Sequence, residues 1–149
     1  MKIIGPEVYS IKYTPDNYRV LCSSNRPRFS GVASSKTPKL YIAIINGAPV
    51  YVGVTKRPMG DRMRLGWKAA GKTGYYGYQW RHSGAEAKLH IWAHEDAVNR
   101  SHLDMETVEA EVVFLIRQAG QWPLFQTEIH FHPSNEMHRQ IAAQIFASI

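Results

Sequence analysis

Apolar and polar positions alternate most clearly near the centre of the chain. "LYIAII" (residues 40–45) and "PVYVGV" (49–54) are rich in β-branched and aromatic residues, and Asn46-Gly47 between them is a strong turn signal. They predict an antiparallel hairpin over 39–45 and 49–54. Side chains alternate with a period of two, so the turn decides where Tyr41 and Tyr51 point. A two-residue loop places the phenols on opposite faces. A three-residue loop or a bulge sets Tyr41 across from Gly53 and Tyr51 across from Ala43, with both phenols on one face beside small neighbours.

The period then changes to that of a helix. Met59, Met63, Trp67 and Ala70 form one apolar stripe, with Pro58 suited to the first turn and Gly71 to the end, so a helix is expected over 58–70. Val108, Val112, Leu115, Ile116 and Ala119 predict a second over 104–119, with Asp104 as N-cap and Gly120 closing it. Met137, Ile141, Ile145 and Phe146 predict a third over 134–147 that covers the core or makes a dimer contact. A third central strand is expected over 87–94, and further strands near 8–13 and 126–131. The fold class is therefore α/β, with a small, mostly antiparallel, three-stranded central sheet flanked by helices. Residues 1–38 read as an N-terminal arm and polar linker, and 39–149 as the folded domain.

Composition narrows the setting. The 149 residues suit one domain with a substantial core. One cysteine, Cys22, excludes an internal disulfide and a cysteine metal cage, which points to a reducing, cytoplasmic compartment. No apolar run approaches the roughly 20 residues that span a bilayer, so no membrane partner is expected. The net charge of +6 is unevenly spread: residues 56–81 carry seven bases and one acid, whereas 82–149 carry nine acids against four bases. Such a basic segment is a local anion surface, and nucleic acid is its natural partner.

The same segment supplies the chemistry. Arg62 sits at the border of the apolar stripe, where its stem can be held while the guanidinium reaches a phosphate. Arg64 and Lys68 point more nearly to solvent. In "WKAAGKTGYYGYQWRH" glycines separate Tyr75, Tyr76, Tyr78 and Trp80, flanked by Lys68, Lys72 and Arg81. Rings in this stretch can stack on bases while cations hold the backbone, although Tyr78 and Trp80 read equally well as cover for the sheet. Lys56, Arg57, Arg64, Lys68, Lys72, Tyr75, Tyr76 and Arg81 are the expected DNA contacts, with Arg26 and Arg28 as weaker candidates in the arm.

"KLYIAIINGAPVYVG" followed by "TKRPMGDR" resembles the signature of the GIY-YIG nucleases. Lys39-Leu40-Tyr41 stands at the first triplet, with Lys39 replacing the leading glycine, Tyr51-Val52-Gly53 at the second, and Arg62 at the helix arginine. "ETVEAEVVFLIRQAGQWPLFQTEIHFH" resembles the family's metal-binding glutamate region. The resemblance covers residues 39–132. It implies a metal-dependent endonuclease that hydrolyses double-stranded DNA, with Tyr41 as general base, Tyr51 orienting phosphate or water, Arg62 clamping the phosphate, and a glutamate holding one Mg²⁺ or Mn²⁺. Glu109 and Glu111 flank the buried stripe on opposite sides, and the family register selects Glu111, just before "VVFLI". Gln126 occupies the rough position of the family's downstream asparagine. The tyrosine or histidine often found a turn after the arginine is missing, and Lys68, Tyr75, Tyr76 or His82 can take its place.

With no appended DNA-binding domain, a stand-alone, restriction-like enzyme is expected, and a homodimer would explain double-strand cutting. The alternative is a catalytically inactive nucleic-acid-binding module on the same fold. His130 and His132 share a face of the expected strand, with His138 close behind, and His90 and His94 are close in sequence on the expected strand 87–94. No cysteine joins these histidines and their spacing matches no familiar zinc module, so they read as packing and hydrogen-bonding residues.

Overall fold

A computed structural model describes residues 2–95, 101–126 and 128–149. Its strands are β1 (Ile3–Tyr13), β2 (Tyr18–Leu21), β3 (Lys39–Ile45), β4 (Ala48–Thr55) and β5 (Glu86–His94), and its α-helices are α1 (Met59–Lys68), α2 (Ser101–Gln118) and α3 (Glu136–Phe146). The strands form one antiparallel sheet in the order β2-β1-β5-β3-β4. The α/β class holds, but the sheet has five strands where three were expected.

The difference lies mainly in the first 21 residues. The segment expected to be an arm contributes β1, which pairs with β5 from Ile3 to Lys12 and with β2 on its other side. The short strand β2 went unread because "YRVL" lies next to polar residues and lacks a long apolar run. Conversely, 126–131 carries no strand among its described residues, and Thr127 lies outside them. Helix α2 is already helical at Ser101, so Asp104 lies inside the helix and is not its cap.

Alternation along the strands builds two cores. Leu40, Ile42, Val52 and Trp92 face one way and pack with Met105, Val108, Val112, Ile116, Ile141 and Ile145 of α2 and α3. Tyr41, Ala43, Ile45, Leu89, Ile91 and Ile11 face the other way, with Met59, Met63 and Trp67 of α1 and with Tyr78 and Trp80. Rings make edge contacts throughout this second core, including Trp67 to Trp80 at 5.0 Å and Tyr13 to Trp80 at 5.5 Å between centroids. The sheet is thus enclosed between α2/α3 and an aromatic layer held by α1.

The edge strand β4 is covered. Gln126 accepts from the Val52 amide at 2.8 Å and donates to the Val52 carbonyl at 2.8 Å, while the Phe125 amide donates to the Val50 carbonyl at 3.0 Å. This pairing satisfies an edge that would otherwise remain open. Replacing Gln126 with alanine removes both side-chain bonds; urea denaturation should show a loss of roughly 1–3 kcal/mol, with faster amide exchange at Val52. An unchanged midpoint and unchanged exchange would contradict the role.

Candidate functional site

The hairpin turn fixes the first two side chains. Asn46 and Gly47 adopt φ of 51° and 78°, the left-handed pair of a tight two-residue turn. Ile45 pairs with Ala48 and Ile44 with Pro49, and then the register shifts so that Ala43 pairs with Tyr51 and Tyr41 with Gly53. A bulge, not a longer loop, therefore turns Tyr51 to the side of Tyr41. The two rings lie 5.9 Å apart. Gly53 is required by contact: a Cβ there would meet the Tyr41 hydroxyl at 2.6 Å and the Tyr51 ring at 2.8 Å.

A third phenol completes the group. Tyr78 donates its hydroxyl proton to the Tyr41 hydroxyl at 2.9 Å, and its ring lies 5.5 Å from Tyr51. It sits flat against Gly66 of α1, where a Cβ would come within 2.1 Å of the ring. The sequence offered Tyr78 only as cover for the sheet. Lys68, Tyr76 and His82, considered for the place after the arginine, are exposed, and Tyr78 is the residue that reaches Tyr41. Its signal was Gly66, one turn after Arg62, which leaves a gap in α1 that only an incoming ring fills.

Arg62 lies among these rings. Its guanidinium carbon stands 4.5 Å from the Tyr78 centroid and 5.6 Å from that of Tyr75. Burial opposes its charge, but Tyr41, Tyr78, Tyr51 and Tyr75 outweigh that cost, so Arg62 stays protonated at every accessible pH. Burial drives the pKa values of Tyr41 and Tyr51 well above the ordinary phenol value, and that of Tyr78 rises with them; Arg62 pulls all three back down. Lys39, which replaces the leading glycine of the first triplet, is the first residue of β3. It is fully buried and donates to the carbonyls of Ser35, Thr37 and Arg57 at 2.8, 2.8 and 2.9 Å, so it ties the chain before β3 to the β4–α1 junction.

The carboxylate comes from the opposite face of the sheet. Glu109 is buried on α2 and close enough to Tyr51 for its charge to raise that phenol. Burial, together with Glu106 and Glu128, pushes the Glu109 carboxyl up to about 8. Glu111 is half-buried and lies about 200° further round the helix. Of the two carboxyls, Glu109 is the buried one, and its charge is felt at Tyr51.

The basic residues divide by position. Arg57, Arg64, Lys68, Lys72 and Tyr75 line a cleft of about 700 Å³ beside α1. Arg64 and Lys68 also border a second cleft of about 520 Å³ with Arg19, Arg28 and Phe29. Arg64 is ion-paired with Asp61 one turn back. Tyr76 is exposed next to Gly71, Lys56 is exposed beside the start of α2, and Arg26 is exposed near Cys22. Arg81 departs from expectation, since it bonds the Gly66 and Ala69 carbonyls and closes the C-terminal end of α1. His138 is also engaged: it accepts from the Asn135 amide at Nδ1 (3.1 Å), and Nε2 then carries the proton to Asp104 at 3.0 Å. Among the described residues no helix is long and apolar enough to cross a membrane. Comparisons with protein-family models, curated proteins and solved structures found no match to the chain.

Glu109 gives the site a pH signature. Its folded pKa of about 8 lies above the ordinary 4.5, so its stabilising contribution is fully present below about pH 4.5 and is lost as pH rises to about 8. Urea melts of cation-free protein should show Glu109→Gln drawing ahead of the unmodified chain across that window, by at most about 5 kcal/mol at pH 9. Parallel stability curves for the two proteins would contradict the burial of this carboxyl.

Proposed function

We propose that this chain is a divalent-cation-dependent nuclease of GIY-YIG type that hydrolyses phosphodiester bonds in double-stranded DNA. The observation that supports the reading is the grouping of Arg62 with the phenols of Tyr41, Tyr51 and Tyr78, with the buried Glu109 carboxyl near enough to act on Tyr51. Phosphodiester hydrolysis needs a group to take the proton from water, positive charge for the pentavalent phosphorane, and help for the leaving oxygen.

Arg62 supplies the positive charge, and its fork matches two phosphate oxygens. Tyr75 covers it from the solvent side, so an entering phosphate takes the place of that ring. Tyr41 is placed to accept the proton of water: burial and Tyr78 hold its pKa up, while Arg62 and the hydrogen bond with Tyr51 favour its phenolate form. Tyr51 orients phosphate or water beside it. The basic clefts along α1 carry the DNA backbone, with Arg57, Arg64, Lys68 and Lys72 as its contacts.

The residues fit a hard divalent cation, Mg²⁺ or Mn²⁺. Glu109 is a buried carboxyl under the influence of two further carboxyls, Glu106 and Glu128, and the arrival of positive charge would return it to the ionised form. Glu109 would hold the ion, replacing Glu111 in the family role. When bound, such an ion stabilises the leaving oxygen. By the resemblance, the products carry 5′-phosphate and 3′-hydroxyl ends. A second reading, an inactive binding module, is favoured by the complete burial of Tyr41.

Supercoiled plasmid with Mg²⁺ separates the two. Arg62→Ala and Glu109→Gln should each slow nicking by at least about 10²-fold while gel-shift binding survives, and Glu111→Gln should cut near normally. Binding without nicking by the unmodified chain would establish the second reading. Loss of cutting in Glu111→Gln with an active Glu109→Gln would reverse the carboxylate assignment.

A further inference from the structure

Outside the phenol group, three imidazoles converge on one carboxylate. Glu106 of α2 has His102 Nε2 at 3.6 Å and His132 Nε2 at 3.4 Å from Oε1, and His130 Nε2 at 3.7 Å from Oε2. The carboxylate is largely buried, its side chain 14% exposed. His102 and Glu106 stand four apart on one helix face, and His130 and His132 alternate on an extended segment, so each pair points one way. The sequence revealed the second pair but not that it faces the first, because 24 residues separate Glu106 from His130.

Simple ion pairing accounts poorly for this arrangement. The Nε2 of His132 and the Nδ1 of His102 are buried without a hydrogen-bond partner. Three imidazoles gathered round one largely buried carboxylate, with ring nitrogens left unpartnered, have the composition of a metal ligand set.

Dimensions agree. Four ligands on a tetrahedral ion with bonds of about 2.0–2.1 Å stand about 3.3–3.4 Å from one another. The separations from Glu106 exceed this by at most about 0.4 Å. As they stand, no three His, Cys, Asp or Glu side chains among the described residues are placed to hold a metal ion, so binding requires His102, Glu106, His130 and His132 to draw together.

We propose that His102, Glu106, His130 and His132 form a site for a divalent transition-metal ion of zinc type, which clamps the segment 128–132 onto α2. Three imidazoles and a carboxylate are the donors that borderline ions prefer. The clamp differs from the hard-cation position at Glu109 and does not depend on the nuclease reading. Its structural effect is to hold Glu128, and with it Gln126 on β4, beside the candidate site.

Chelator-stripped full-length chain titrated with Co²⁺ tests the site through its visible tetrahedral absorption, with Zn²⁺ in competition. One ion per chain is expected. His130→Ala/His132→Ala should weaken binding by on the order of 100-fold and Glu106→Gln, which keeps the side-chain shape, by at least about 10-fold. Glu86→Gln, an exposed carboxylate on β5, should bind as the unmodified chain does. Thermal melts in chelator identify any variant that fails to fold, in which case His132→Asn replaces it and should show the same weakening. Absence of uptake, uptake unaffected by the histidine and Glu106 substitutions, or uptake lost only in Glu109→Gln would overturn the proposal.

Discussion

One bulged residue between β3 and β4 sets the geometry of the whole site. Without the register shift after Ala43, the tight Asn46-Gly47 turn would send Tyr41 and Tyr51 to opposite faces of the sheet. With it, both phenols enter the aromatic layer and need a bare backbone beneath them, which Gly53 provides. Tyr78 then packs across the gap left by Gly66 and reaches the Tyr41 hydroxyl. Arg62 is surrounded because α1 starts directly after β4 and lays its border residue over these rings. Each step follows from the preceding one by contact.

Electrostatics divides the labour across the edge strand. On one face, phenols that burial alone would keep neutral meet a guanidinium that cannot lose its proton. On the other, Glu109 is kept protonated by burial and by neighbouring carboxyls. The two meet at Tyr51 on β4. Its outer edge is closed by Gln126, while α2 is fixed through its packing on α3 and through the Asp104–His138 contact. A small positional change in α2 or in the 125–126 segment would therefore be felt at the phenols.

Much of this was legible in the chain. Hairpin and helix stripes follow from periods of two and 3.6 and from a turn dipeptide, all local signals, whereas the shared face of Tyr41 and Tyr51 stayed one of two alternatives until the bulge decided it. The unread parts depend on distant partners. A strand near 8–13 was legible, but its place inside the sheet was not, because the pairing of β1 with β5 joins residues some 80 apart in sequence. Glu109 and Glu111 flank the apolar stripe alike, and only the packing of α2 against the sheet buries one and leaves the other half-exposed. Tyr78 was hidden in an aromatic-rich loop whose other rings, Tyr75 and Tyr76, are exposed. Arg81 looked like a DNA contact because its carbonyl acceptors, Gly66 and Ala69, lie 12 to 15 residues back in the chain, and the helix end marked by Gly71 does not show that Arg81 folds onto it.

The most direct measurement is a crystal structure of the chain with a DNA duplex and Ca²⁺, a cation that supports binding while holding back turnover. The account predicts one backbone phosphate against the Arg62 guanidinium, with Tyr75 displaced, the hydroxyls of Tyr41 and Tyr51 directed at that phosphate, and the ion on the Glu109 carboxylate. A duplex lying along the α1 clefts with every phosphate remote from Arg62, and with Glu109 still enclosed and free of any ion, would contradict it.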